Sequence, residues 1–210
     1  MDVGHAVVLV VILIFSVMIH EIAHGLAAYW RGDDTAFRMG RITLNPIAHI
    51  ELMGSIILPL FMILMHSPFI FGWAKPVPVN YNNLYNPKRD FALTALAGPC
   101  ANFLLAIICS LIVRLVYAFF SGFALSADII NFAMQMIMVN IMLGLLNLLP
   151  IPPLDGSRVI TLFMSENTAL RFLSLNPFAC FIILIVLISS GVFARIVEPV
   201  FYFIFRILMA

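Results

Sequence analysis

Charged residues are scarce in this chain. Its 210 residues include 11 Lys and Arg and 10 Asp and Glu, whereas 63% of the residues are hydrophobic. A typical soluble domain has about 25% charged residues, so this composition excludes an ordinary soluble domain and predicts that lipid surrounds most of the chain. The net charge of +1 gives no basis for binding nucleic acid.

Cysteine is also scarce, and its placement excludes two kinds of site. Cys100, Cys109 and Cys180 all lie within apolar runs. This placement argues against a disulfide framework and against a thiolate metal site, and it favours a role in helix packing. The first residues lack a basic segment and a small-residue cleavage site, so we expect the first apolar run to be a retained helix rather than a signal peptide.

Most of the sequence consists of long apolar runs. Each is near or above the roughly 20 residues that span a bilayer, which predicts an all-α polytopic membrane protein with about five to six hydrophobic helices. The runs cover residues 6–30, 52–73, 91–120, 129–149, 172–190 and 192–208. Arg195, Glu198 and Arg206 interrupt the last run, so a tilted span and a helix in the membrane interface both remain open for it. We expect one membrane-embedded domain over residues 1–210, with C-terminal helices at about 170–210.

Two connecting segments add detail to this fold. Residues 35–46, TAFRMGRITLNP, mix β-branched and polar side chains around Gly40, which predicts a short β-hairpin at the membrane surface. Lys and Arg occur on both sides of run 52–73 and near Asp155 but are absent from residues 121–128, so the positive-inside rule places the basic loops in the cytoplasm. Run 52–73 then starts and ends on one side. We predict a re-entrant hairpin for it, with a straightforward span as the alternative.

The first run carries three ionisable side chains in its middle: His20, Glu21 and His24. Placing even one such group in hydrocarbon costs about 2.5 kcal/mol or more. Positions four apart share one face of a helix, so His20 and His24 can offer two imidazole nitrogens to one zinc ion, and Glu21 can reach a water on that ion. A chance match is the alternative, but it leaves three buried polar groups without partners. We therefore predict a metal site.

A catalytic zinc needs a third protein ligand at a similar depth. Asp155 follows a long apolar run within NLLPIPPLDGSRV, where three prolines unwind the chain and Gly156 allows it to turn. Broken backbone at membrane depth is tolerated where it is buried in protein or lines a cavity. Asp155 is the predicted third ligand, and the alternative is that it caps the next helix.

These motifs resemble those of the site-2 protease family of intramembrane zinc metalloproteases. The similarity rests on HEIAHG at residues 20–25, NLLPIPPLDG at 147–156, and AGPCANF at 97–103, which is similar to the family's glycine-proline-asparagine motif. It covers a catalytic core of about residues 5–160 and implies one zinc ion per chain, held by His20, His24 and Asp155, with Glu21 as general base. Neither a PDZ module nor a cystathionine-synthase-type appendage is found, as in compact members.

The resemblance also implies that Asn147 assists the substrate carbonyl, with an interhelical hydrogen bond as the alternative. We assign Asn102 to the substrate-binding region, although the interhelical role is favoured for it, and we expect Gly98 and Pro99 to shape the start of their helix. The implied reaction is hydrolysis of a peptide bond in or near the transmembrane helix of a single-span protein. The active site is expected toward the cytoplasmic side of the cell membrane, and the unwound substrate is expected to pair with the hairpin near residues 38–44.

Two other classes of function remain open. A polytopic divalent-cation transporter would use the same His and Asp cluster as a transient binding site. Glu21 argues against it, because a transport site needs no adjacent base, and no second histidine cluster indicates paired repeats. An inactive scaffold that binds membrane helices is the third class, and the intact motifs argue against it. The sequence indicates neither the substrate nor the oligomeric state.

Overall fold

The computed structural model describes residues 3–65, 75–120, 123 and 125–210. Helices account for most of them, joined by short 3-10 and π-helical turns. In chain order the α-helices are α1 (Val3–Trp30), α2 (Thr35–Arg38), α3 (Leu58–Leu64), α4 (Pro87–Phe120), α5 (Ser126–Asn147), α6 (Asp155–Ile160), α7 (Glu166–Leu173), α8 (Pro177–Ser189) and α9 (Val192–Met209).

Three helices, α1, α4 and α5, form the centre of the fold. Among the described residues they are the ones long and apolar enough to cross a membrane. Their facing sides bury a cluster of aliphatic and small residues against one another, and the aromatic side of α9 packs onto this cluster. The cluster consists of Ile12, Ala106, Cys109, Val113, Ala133, Met136, Ile137 and Ile141. The three cysteines are free thiols; Cys109 and Cys180 are buried as a packing role requires, whereas Cys100 is exposed.

The number of spanning helices is lower than predicted. Run 172–190 does not form one helix, because Asn176 accepts a hydrogen bond from the Phe178 amide (2.9 Å) and Pro177 occupies the first turn, so α8 begins there. The axes of α7 and α8 differ by 77°, and counting this bent pair as one span would raise the number to four. Helix α9 carries three charged residues within 18 and is not among the candidate spans.

The β-hairpin predicted over residues 35–46 has to be corrected, since the described residues contain no strand there or elsewhere. The segment forms α2 instead. Gly40 has a φ of 63°, its amide donates to the Phe37 carbonyl, and the Arg41 amide donates to the Ala36 carbonyl. This is a Schellman motif, in which a left-handed glycine ends a helix. A 3-10 turn, Pro46–Ala48, follows, so the substrate-pairing edge expected near residues 38–44 is absent as well.

The end of α1 and the start of α4 lie on the same side of the molecule. The Tyr85 amide donates to the Arg31 carbonyl (2.9 Å), and Arg31 pairs with the buried Asp90 (3.3 Å). Run 52–73 forms a π-helical turn (Leu52–Ile57) and α3, while its residues 66–73 lie outside the described ranges. The Lys75 amide nevertheless donates to the His49 carbonyl (2.9 Å). The segments that flank the run therefore meet, and the re-entrant hairpin stays a prediction because part of the run lies outside the described residues.

Candidate metal centre

Helix α1 supplies two buried imidazoles to one point. His20 and His24, four residues apart, are each 5% exposed, and their Nε2 atoms lie 3.0 Å from each other. The two rings are nearly perpendicular, with centroids 4.6 Å apart. One helical turn separates them, so the helix itself fixes their spacing. The predicted pairing of these two residues on one face is what the structure shows.

Asp155 completes the cluster. Its Oδ2 lies 3.0 Å from His20 Nε2 and 3.2 Å from His24 Nε2, and the carboxylate is buried. Asp155 is the first residue of α6, and the N-cap position is occupied by Leu154, whose side chain makes no capping hydrogen bond. Gly156 lies against the carbonyl of Leu148, where no Cβ would fit. The glycine thus allows the unwound chain after α5 to fold back tightly and aim the carboxylate at α1.

Each histidine is held by a hydrogen bond at its other ring nitrogen. His24 Nδ1 lies 2.7 Å from the Thr94 carbonyl oxygen, and His20 Nδ1 lies 2.6 Å from Asn102 Oδ1. A carbonyl oxygen can only accept, so Nδ1 carries the proton in both rings. In the neutral form of each ring, Nε2 therefore carries the free lone pair, and it points toward Asp155.

The orientation of Asn102 is itself determined by its neighbours. Its Nδ2 donates to Asn140 Oδ1 (2.8 Å) and to the Ser16 carbonyl (3.3 Å), which leaves Oδ1 for His20. Asn140 in turn donates to Ser16 Oγ (2.9 Å) and to the Met136 carbonyl (2.9 Å). Both asparagines are completely buried. The sequence analysis did not single out Asn140; an asparagine near the middle of the apolar run 129–149 was the available signal.

Helix α4 lies directly behind the two histidines. A Cβ added at Gly98 would lie 2.5 Å from His24 Nε2 and 2.6 Å from His20 Nε2. Gly98 and Pro99 are in the interior of α4, which starts at Pro87, so the prediction that they shape a helix start is wrong. Pro99 lacks an N–H, so the helix loses one backbone hydrogen bond near the turn whose Thr94 carbonyl faces His24. Gly98 instead allows α4 to approach the cluster closely, and Pro99 follows it in the same turn.

The donor set fits a zinc ion. Two imidazole nitrogens and a carboxylate oxygen converge within 3.2 Å, and in the neutral rings with Nδ1 protonated both nitrogens present lone pairs to each other. Lone pairs at this spacing repel one another unless a cation lies among them. Tetrahedral zinc, with ligand distances of about 2.0–2.1 Å, places neighbouring ligand atoms about 3.3 Å apart. The part of the chain that the structure describes contains this one cluster of three such residues.

Glu21 lies beside the cluster but not in it. Its Oε2 accepts a hydrogen bond from the backbone amide of Val77 (2.7 Å), and the side chain is half-buried. The Val77 side chain packs on Gly25, where an added Cβ would lie 3.2 Å from Val77 Cγ1. The carboxylate is therefore next to the ligands without contributing to them, which is the position that a base needs.

The two further predicted residues have different surroundings. Asn147 Nδ2 donates to the Leu143 carbonyl one turn earlier in α5 (3.0 Å), so this side chain bonds to its own helix rather than to a neighbouring one. The Asn102 side chain forms hydrogen bonds with His20, Ser16 and Asn140. The bond to Asn140 joins α4 to α5 and matches the favoured interhelical role. A substrate-binding role for Asn102 stays a prediction.

Comparison with known proteins agrees with this centre. The profile of peptidase family M50 matches residues 112–190. The chain is 36% identical over 193 residues to a Bacillus subtilis protein named "Putative zinc metalloprotease YwhC". The aligned region covers 91% of this chain and 84% of that protein. The chain belongs to peptidase family M50, the site-2 proteases. No solved structure matches it.

Two further relatives share less of their sequence with this chain. The chain is 27% identical over 195 residues to "Putative zinc metalloprotease Rip2" of Mycolicibacterium smegmatis, covering 90% of this chain and 70% of that protein. It is 26% identical over 179 residues to the protein of the same name from Mycobacterium tuberculosis H37Rv. That alignment covers 83% of this chain and 64% of that protein. These names describe zinc metalloproteases, and the apolar helices of this chain make it a membrane protein of the M50 family.

Proposed function

We propose that this protein is an intramembrane zinc metalloprotease that hydrolyses a peptide bond in or near the transmembrane helix of a single-span membrane protein. The observation that carries the proposal is the convergence of His20, His24 and Asp155 inside the candidate span α1, ten residues from its Trp30 end. At about 1.5 Å per residue, the cluster lies roughly 15 Å from that end. A soluble peptide would not enter the bilayer to this depth, whereas a transmembrane helix is already there.

The roles of the residues follow from their positions. His20, His24 and Asp155 would hold one zinc ion, which when bound supplies Lewis acidity toward a water molecule and a peptide carbonyl. Glu21 accepts a proton from the attacking water and returns it to the leaving amine. Asn147 is the proposed donor to the substrate carbonyl, for which its amide has to leave Leu143. Asn102 acts through His20, by fixing the ring that binds the metal.

The proposed orientation rests on the basic residues. Arg31 and Asp90 place the α1–α4 junction on one side of the molecule, and most Lys and Arg residues lie in the segments at this side. The positive-inside rule assigns that side to the cytoplasm, in the cell membrane of a multi-pass protein. The active site then opens toward the cytoplasm, and its substrates are helices that present their cytoplasmic half.

Co-expression with a panel of tagged single-span proteins tests the proposal. Glu21→Gln is nearly isosteric, and it should retain zinc and the fold yet lose cleavage, because an amide cannot accept the proton. Removing a general base typically lowers the rate by about 10²–10⁴-fold. Near-normal cleavage by Glu21→Gln would contradict the assignment.

Metal analysis of the purified protein tests the ligands separately. Wild type should hold about one zinc per chain, and His20→Ala or Asp155→Ala should lose it, because each removes one of three protein ligands. Stoichiometric zinc in folded Asp155→Ala would remove this residue from the ligand set. A transporter would instead show zinc uptake into proteoliposomes that persists in Glu21→Gln.

A further inference from the structure

An extended segment, residues 75–80, crosses the active-site side of α1, and we call it the strap. Its sequence, KPVPVN, contains two prolines, which fix their own φ and restrict the residue before each to extended conformations. Pro76 and Pro78 have no N–H, so Val77 supplies the strap's one backbone donor between Lys75 and Val79. That donor is the one that contacts Glu21 Oε2, at 2.7 Å.

The strap is anchored at both ends without help from Glu21. At one end, Arg41 Nη2 donates to the carbonyls of Lys75 (2.7 Å) and Pro76 (3.3 Å), and the Lys75 amide donates to the His49 carbonyl. At the other end, the Asn80 amide donates to Asp33 Oδ2 (2.6 Å). Arg41 and His49 are both buried. Because these anchors are independent of Glu21, the strap is the fixed partner and the glutamate side chain is the one that it holds.

We propose that the strap is a positioning element for the proposed base: the Val77 amide fixes Glu21 Oε2 so that the other carboxylate oxygen faces the reacting water. Val77 and Arg41 are then positioning residues, the first through its backbone and the second by holding the strap. A free glutamate side chain samples many rotamers, and a charge-assisted hydrogen bond of this length selects among them. The inference rests on the proposed function, because it assumes that Glu21 acts as the base.

Val77→Pro is the direct test, since it removes the N–H while keeping a strap-like backbone. Turnover of a tagged single-span reporter with a Gly-Pro pair in its cytoplasmic half is measured in detergent, together with zinc content and thermal unfolding. We expect kcat to fall about 10-fold or more, which corresponds to losing one charge-assisted hydrogen bond. KM and zinc content should change little, because neither the substrate contacts nor the metal ligands are altered.

Two comparison variants separate the amide from other effects. Val79→Pro also adds a proline to the strap but removes an N–H for which the described residues show no partner, and it should leave kcat near the wild-type value. Val77→Ala keeps the amide and removes the methyl groups that pack on Gly25, so any loss that it shares with Val77→Pro is due to packing. Arg41→Ala should lower kcat, and Arg41→Lys should restore part of it, because a lysine can still reach one of the two carbonyls.

Hydrogen exchange tests the contact even if Val77→Pro fails to fold. In wild type the Val77 amide should be protected, and Glu21→Ala should increase its exchange rate, while the Asn80 amide on Asp33 should be unaffected. Equal exchange at Val77 in both proteins would overturn the proposal. So would an increase in kcat in Val77→Pro, which would mean that the strap blocks the base. If Glu21→Gln cleaves normally, the proposed function fails; if Glu21→Gln is inactive and Val77→Pro is normal, the strap inference alone fails.

Discussion

At the scale of single residues, the orientation of His20 depends on the amide side chains of Asn102 and Asn140, neither of which contacts the Nε2 atom that would bind zinc. Asn102 presents an oxygen to His20 because its nitrogen is engaged by Asn140 and Ser16. Three helices, α1, α4 and α5, contribute to this chain of contacts. Without Asn140, the Asn102 amide is free to turn its nitrogen toward His20, which would favour the wrong tautomer for metal binding.

Asn140→Leu should therefore weaken zinc binding although Asn140 lies two hydrogen bonds from the histidine ring. Loss of such an outer partner typically lowers metal affinity by about 10–100-fold. Competition with a chelator of known affinity, on protein of confirmed fold, measures the change. Asn131→Leu, an exposed position on the same helix, is the matched control and should bind zinc as wild type does. Unchanged affinity in Asn140→Leu would show that Asn102 keeps its orientation by other means.

Asp33 illustrates a residue whose charge stabilises the strap from outside the membrane-spanning helices. Burial opposes its ionisation, but hydrogen bonds from the Thr35 hydroxyl, the Asn80 amide and the Asn83 side chain outweigh burial and lower the pKa of the carboxyl. A lowered pKa in the folded state means that Asp33 stabilises the fold above the unfolded pKa of about 3.9, and that this contribution disappears as the pH falls through the folded value.

The stability difference between wild type and Asp33→Asn should consequently depend on pH. It should be largest near pH 7, where an asparagine places an N–H against the Asn80 amide, and it should shrink as the pH falls below about 4. Thermal unfolding in detergent at several pH values measures this difference. Asp34→Asn is the control, because Asp34 pairs on the surface with Arg38, which is 75% exposed. A difference that is independent of pH would contradict the role of the ionised Asp33.

At the scale of helices, α4 approaches α1 closely enough that glycine is required at the contact. A Cβ at Gly98 would lie 2.5 Å from His24 Nε2 and 2.6 Å from His20 Nε2, closer than real Cβ contacts. Overpacking of this kind typically costs about 1–3 kcal/mol. In a Gly98→Ala variant the strain would fall on the proposed metal ligands themselves, so it should appear as a loss of metal.

Gly98→Ala should accordingly lose zinc in a protein that still folds. Gly144→Ala is a matched comparison, because its Cβ would lie 2.8 Å from the Phe103 ring and would strain the α4–α5 contact without touching a ligand. Both variants should unfold at lower temperature, but Gly144→Ala should keep about one zinc per folded chain. Metal analysis after size-exclusion chromatography measures this. Full zinc content in Gly98→Ala would mean that the histidines can move aside.

The sequence predicted the helices and the convergence of His20 and His24 where local spacing determines them, and it failed where the choice depends on distant contacts. His20 and His24 share a face because of the helical repeat, and the prolines before Asp155 predicted the unwound chain. Gly40 was misinterpreted because a left-handed glycine serves a hairpin turn and a helix end equally well. The roles of Asn140 and Val77 depend on partners 38 and 56 residues away, respectively. No local pattern carries that information.

At the scale of the whole molecule, the proposed function makes the depth of the cluster the feature that decides which substrates can be cut. The end of α1 and the start of α4 meet on one side, and the cluster lies about 15 Å inward from that side. A substrate helix has to open at this depth, because its peptide bonds are protected by their own hydrogen bonds. Helix breakers supply the opening: relative to Ala, Gly costs about 1 kcal/mol and Pro about 3 kcal/mol in a helix interior.

Replacing the helix breakers in a substrate's cytoplasmic half with leucine should therefore suppress cleavage. The same replacement in the outer half should matter little, since that half lies beyond the cluster, and it serves as the control. Mass spectrometry of the products locates the cut and gel densitometry measures its extent. The cut should fall within the half that carries the breakers. If the cuts map to soluble loops and the leucine series has no effect, the substrate is not an unwound membrane helix, even if the protein binds zinc.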